Sequence, residues 1–168
     1  MEDNNTAPQH AKEEAEEVAA QPQQQVYTHQ VDLRETIRAS STDEAVALFL
    51  QVVWRDGGGM PGKVVIEEEG DPSTMVGNLR RVGGGVREQI LERCTDEVLY
   101  KVVSGMMPVK THLGRVRFTQ SERGEEVLVE WRCRFTPYWG LGWAVSWLIS
   151  TSLTKMLQTL RERSVVTA

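Results

Sequence analysis

Cysteine and histidine are scarce in this 168-residue chain, which has two of the first and three of the second. Two cysteines cannot build a disulfide framework, and neither Cys94 nor Cys133 has a partner at metal-ligand spacing. The histidines at 10, 29 and 112 are just as dispersed. No metal and no other cofactor is expected, and the thiol usage points to a reducing, intracellular location, the cytoplasm. A basic excess is missing too. The formal charge is −5, and Glu2, Asp3, Glu13, Glu14, Glu16 and Glu17 against Lys12 carry all of it. From Val26 onward acidic and basic residues cancel, and the arginines are dispersed along strands. Nucleic-acid binding, which needs clustered cations to neutralise phosphates, is not expected.

A membrane span is also lacking. Thr136 to Thr154 contains no charged residue and approaches the ~20 apolar residues that a bilayer requires. It includes Ser146, Ser150, Thr151, Ser152 and two glycines, however, and continues amphipathically to Arg163. A transient membrane contact is compatible with this stretch, whereas a transmembrane segment is not. The N-terminus has no basic region followed by an apolar run, so no secretory signal is expected. Residues 1–25, acidic and Gln-rich with almost nothing apolar to bury, read as a disordered tail, which leaves residues 26–168 as a single domain with room for one core.

What is present is alternation. Val127, Val129, Trp131, Cys133 and Phe135 fall on one face of a strand and Glu126, Leu128, Glu130, Arg132 and Arg134 on the other. That strand turns at Thr136 and Pro137 into a long Trp-, Ser- and Thr-rich helix, the nearest apolar body able to cover the dry face. Upstream, Val26 to Arg38 reads as a first strand. Ser41 and Glu44 resemble a capping box that opens a helix to Trp54. Strands are expected at Lys63 to Glu69, Met75 to Val82, Val86 to Arg93, Glu97 to Ser104, Pro108 to Gln120 and Glu125 to Phe135, each gap short enough for antiparallel neighbours. The class is α+β.

Several motifs fail on context. Gly57, Gly59, Gly62 and Lys63 mimic phosphate-loop patterns, but they follow a helix and open a strand, the reverse of what a phosphate loop requires, and Val64 stands where Ser or Thr would hold magnesium. Glu67, Glu68 and Glu69 are consecutive on a strand and cannot converge, which suits a solvated edge. No Ser sits in a nucleophile elbow and no Cys has an obvious base.

Extending the dry parity upstream is more informative. Val116 and Phe118 share a face with Gly114 and His112, Val98 and Val102 with Tyr100, and Val86 and Ile90 with Glu88. An apolar surface with the convergent polar groups Glu88, Tyr100 and His112 describes a small-molecule cavity. Each group has a structural reading as well: Glu88 turned outward by a register shift after the glycines, Tyr100 as a core ring, His112 as a hydrogen-bonded inner histidine. Arg80, if buried, needs an anion, for which Glu88 qualifies. On the terminal helix, Leu141, Val145, Leu148, Ile149, Leu153, Met156 and Leu160 form the main apolar face, and Trp143 and Trp147 fall off it as candidates for a rim.

The first strand, the Ser41-to-Trp54 helix, the run Val76-Gly77-Asn78-Leu79-Arg80-Arg81-Val82 followed by Gly85-Val86-Arg87-Glu88-Gln89-Ile90, the Leu99-Tyr100 strand and the terminal helix resemble the START-related helix-grip superfamily, which includes polyketide cyclases and dehydrases, birch-pollen-type allergens and lipid-transfer proteins. The resemblance covers roughly Val26 to Arg163. It implies a curved antiparallel sheet of six or seven strands wrapped around the C-terminal helix, with a hydrophobic cavity between them. The first function expected is binding or transport of a hydrophobic small molecule such as a lipid, sterol or polyketide-like compound, held by Arg80, Glu88, Tyr100, His112, Val116, Phe118, Trp131, Trp143 and Trp147. The second is a cofactor-independent cyclase or dehydratase in which Glu88 and His112 form an acid-base pair and Tyr100 donates to a carbonyl. A third is a protein-interaction module anchored on Trp143 and Trp147.

Overall fold

The computed structural model describes residues 26–122 and 124–167; the tail expected over residues 1–25 lies outside them. Strand β1 (His29–Arg38) leads into helix α1 (Thr42–Phe49), which continues as a π-helix over Leu50–Arg55. Strands β2 (Val65–Glu68) and β3 (Leu79–Val82) follow, then a short 3-10 turn over Gly83–Gly85. Strands β4 (Val86–Arg93), β5 (Glu97–Ser104), β6 (Val109–Gln120) and β7 (Glu126–Pro137) form a meander, and helix α2 (Gly142–Thr167) closes the chain. All seven strands belong to one antiparallel sheet in the order β1-β7-β6-β5-β4-β3-β2.

The parity of β7 dictates the core. Val127, Val129, Trp131, Cys133 and Phe135 are all buried, and their neighbours across the ladder, Val116 opposite Trp131 and Phe118 opposite Val129, are buried with them. Helix α1 starts where Ser41 accepts from the Glu44 backbone amide. The Glu44 carboxylate reaches one residue further than a capping box, taking the amide and hydroxyl of Ser40. Phe49 from α1 then packs edge-on against Phe118 and Trp131, with ring centroids 5.8 and 5.3 Å apart.

Three elements differ from the sequence expectation, each for a local reason. The expected strand at Met75 begins only at Leu79, because Asp71 accepts from the amides of Ser73 and Thr74 and ties that segment into a turn. The helix to Trp54 changes to i-to-i+5 bonding, as when the Asp56 amide donates to the Gln51 carbonyl at 3.0 Å. The buried stripe of α2 is Val145, Ile149, Leu153, Leu157 and Leu160, ending at Ser164, whose Oγ accepts from the Arg38 amide. Leu141 lies outside the helix and is exposed, and Leu148 and Met156 flank the stripe.

Candidate functional site

Because α1 fills one half of the sheet's concave face, the other half needs a different cover. It is lined by α2 and the glycine loop after the π-helix, and a cavity of ≈ 430 Å³ remains between them. That volume lies in the range typical of small-molecule sites. The loop can lie against α2 because it lacks side chains: a Cβ on Gly58 would fall 2.7 Å from Met156 Cγ and one on Gly59 2.8 Å from Thr159 Oγ1, and both residues have positive φ. The glycines that mimic a phosphate loop therefore serve as a wall.

Arg80, Glu88, Tyr100, His112 and Trp131 all reach the cavity. Arg80 is 2% exposed, and its Nε and Nη2 donate to Glu88 Oε2 at 2.8 and 2.6 Å. Its Nη1 donates to the carbonyls of Val53 and Trp54 at 2.6 and 2.7 Å, and its guanidinium stacks 4.0 Å above the Trp54 ring. The π-helix presents those carbonyls, and Trp54 is fixed by its own indole bond of 2.6 Å to Asn78 Oδ1. Glu88 keeps its inward direction although β4 carries a register shift beside it.

The Tyr100 hydroxyl accepts from Trp131 Nε1 at 3.0 Å and lies 3.6 Å from Cys133 Sγ. Burial pushes the phenol well above its ordinary range, so it stays protonated. His112, 5.6 Å from the Tyr100 ring centroid to centroid, is 5% exposed, and its Nδ1 is buried with no hydrogen-bond partner. Burial holds this imidazole below its ordinary 6.5, with Glu88 pulling the other way. The folded protein therefore takes up this proton less readily than the unfolded chain. Stability is unaffected well above pH 6.5 and falls as pH drops through that value towards the folded pKa. Between about pH 7.5 and about pH 5, the urea midpoint of the wild type is expected to fall further than that of His112→Asn, a difference that chemical denaturation at the two pH values measures.

The other expected contacts lie elsewhere. Val116 and Phe118 sit under α1 in the core and do not border the cavity. Trp143 and Trp147 are 79% and 67% exposed and are absent from its wall. In their place α2 contributes Leu148, Ser152 and Met156, one residue per turn, and the β5–β6 turn contributes Met106, Met107 and Pro108. Leu148 and Met156 stood on the apolar face expected of this helix; Ser152 and the contribution of the turn were not read from the sequence. Among the described residues no group of three His, Cys, Asp or Glu side chains lies together as metal ligands would.

Cys133 also faces the cavity, fully buried, and burial pushes its thiol up to about 12. Cys94 is exposed, but the hydrogen bond to Glu92 raises its thiol above the ordinary value. Native protein treated with iodoacetamide at neutral pH is expected to alkylate slowly at Cys94 and not at Cys133, and both should react in denaturant. Intact-mass measurement reads this directly.

No protein-family model matches the chain, and no curated protein matches it either. Solved structures do. A START superfamily protein from Mycobacterium smegmatis aligns over 84% of this chain and 100% of its own, at 13% identity and a TM-score of 0.63. Norcoclaurine synthase from Thalictrum flavum, solved with dopamine and hydroxybenzaldehyde, aligns over 83% and 88% at 13% identity and TM-score 0.61. The di-domain ARO/CYC StfQ of the steffimycin biosynthetic pathway aligns over 82% of this chain and 51% of its own, at 15% identity and TM-score 0.61.

Proposed function

We propose that the START-related helix-grip fold of this chain serves to bind an uncharged, hydrophobic small molecule between the sheet and α2. The carrying observation is the cavity itself: its two full charges, Arg80 and Glu88, neutralise each other, and the remaining Arg80 donor is taken by backbone carbonyls. A charged ligand would enter without a counter-ion and pay its full desolvation. The His112 imidazole, which borders the cavity, is the polar handle. A ligand hydroxyl, which both donates and accepts, satisfies it in either tautomer. Lipids, sterols and polyketide-like compounds fit this description, and two free thiols suit an intracellular carrier.

A second reading is a cofactor-independent cyclase or dehydratase, favoured by the approach of Glu88 and His112 to one cavity. The carrier reading has more support, because the Tyr100 hydroxyl is engaged by Trp131 and Cys133 and the Glu88 carboxylate by Arg80.

Titration with the uncharged fluorophore Nile red tests the binding reading. Ser152→Trp, which places a ring in the cavity from a partly exposed helix position, is expected to weaken binding at least about tenfold. Equal binding by this variant would sink the reading. Native mass spectrometry of the protein purified from its own cells then identifies the ligand. Turnover of that ligand, lost in Glu88→Gln and His112→Ala with binding retained, would establish the enzyme instead.

A further inference from the structure

We infer that the end of the molecule at which the cavity opens docks onto anionic phospholipid bilayers, with Trp139, Trp143 and Trp147 entering the headgroup region. This goes beyond ligand binding and stands on the surface, not on the ligand. Among the described residues, the aromatic side chains classed as exposed are Tyr138, Trp139, Trp143 and Trp147, all within one ten-residue stretch at the β7–α2 corner. Trp139 is 96% exposed. The corner is tied to the β5–β6 turn by the Tyr138 amide, which donates to the Pro108 carbonyl at 3.0 Å, and that turn holds Met106, 81% exposed. Met106 and the half-exposed Leu148 also line the cavity, so the patch and the cavity mouth are continuous.

Charge separates the two ends of the sheet. No Asp or Glu occurs from Val98 to Ser121 or from Trp131 to Arg161, the segments that build the β5–β6 turn, the β7–α2 corner and nearly all of α2. Exposed Lys63, Lys110 and Lys155 each lie next to or two residues from a cavity-lining residue, Gly62, Pro108 and Met156. The opposite end carries the acids: Asp43 and Glu44 at the start of α1, Asp96 in the β4–β5 turn, and Glu122, Glu125 and Glu126 around the β6–β7 turn. Asp56, beside the cavity-lining Gly57, is an exposed acid on the cavity side; the molecule otherwise presents Trp and Lys on one end and these carboxylates, together with Arg38, on the other. Trp favours the bilayer interface, and juxtaposed lysines favour an anionic leaflet. A second copy of this chain is a poorer occupant, because a two-fold contact at this end would bring the lysines of both copies together. No helix among the described residues is long and apolar enough to cross a membrane, so the contact is interfacial.

The test is sedimentation of the full chain with vesicles of phosphatidylcholine containing about 30% phosphatidylserine, compared with pure phosphatidylcholine. Binding to the anionic vesicles is expected, weakening with added salt. Partitioning should fall at least about tenfold in W139S/W143S/W147S and again in K63E/K110E/K155E. The aromatic variant changes only exposed positions, and if it fails to fold the lysine variant decides alone. Absence of binding to anionic vesicles, or binding indifferent to both triple substitutions, overturns the inference. So does a wild type that is dimeric in analytical ultracentrifugation, becomes monomeric in the tryptophan variant and ignores vesicles. Nile red uptake without vesicle binding would leave the cavity reading intact and remove docking; vesicle binding without uptake would do the reverse.

Discussion

Arg80→Met is expected to remove about 3–5 kcal/mol of stability, because it leaves Glu88 as a buried carboxylate with no cation. Methionine replaces the aliphatic stem of arginine but none of its donors. Three partners lose out together: the Glu88 carboxylate and the carbonyls of Val53 and Trp54. The Trp54 ring also loses the cation stacked on it. The Glu88 side chain is 12% exposed, which places the cost nearer the low end of that range. Arg80→Met/Glu88→Leu removes both charges and is expected to be more stable than Arg80→Met alone, though still below wild type because the two carbonyls stay unpaired. Urea unfolding of the three proteins measures this. A single variant within about 1 kcal/mol of wild type, or a double variant no better than the single, would refute the account of Arg80 as the clamp between sheet and π-helix.

Strand parity made much of this site legible. Alternation in β7, carried through β6, β5 and β4, placed Glu88, Tyr100, His112 and Trp131 on one surface, because a period of two survives wherever one face must be dry. The pairing of Arg80 with Glu88 followed from the rule that a buried guanidinium needs an anion. The change from α to π bonding at Leu50 did not show in composition, so the two carbonyls that complete the Arg80 site were invisible. Helix azimuth was the weakest inference. Leu157, left off the expected apolar face, is buried, whereas Leu141, placed on it, is exposed. A helix rotates to suit the sheet beneath it, and the sheet is non-local. The same holds for the cavity wall built by Gly57 to Gly62 and Met106 to Pro108, where turns distant in sequence meet.

These observations divide the concave face between two covers. Phe49 closes it over Phe118 and Trp131, Trp54 from the π-helix lies over Tyr100, and the thinner glycine loop leaves the remainder open beneath α2. The ion pair of Arg80 and the ring of Tyr100 stand on the border. Substitutions there should disturb folding and ligand uptake together, while changes at Trp143 or Trp147 should leave both alone.

Gly114→Ala shows this coupling most sharply. Alanine in place of an interior strand glycine ordinarily gains about 0.5–1 kcal/mol. Here a loss of about 1–3 kcal/mol is expected, since Gly114 lies opposite Tyr100 on β5 and an added Cβ would overlap Cε1 and Cζ of that ring. The tyrosine is boxed in by Trp54, His112 and Trp131, so the space left to it is the cavity. Moving there breaks its bond with Trp131 Nε1 and leaves a buried indole donor unpaired. It also occupies ligand volume, so Nile red binding should weaken in parallel with stability. Tyr100→Ala removes the obstacle, and in that background Gly114→Ala should be neutral or stabilising, giving a coupling energy of about 1–3 kcal/mol in a double-mutant cycle. A stabilising effect of Gly114→Ala in the wild-type background would mean that the ring does not rest on the strand, and the wall of the cavity would have to be redrawn.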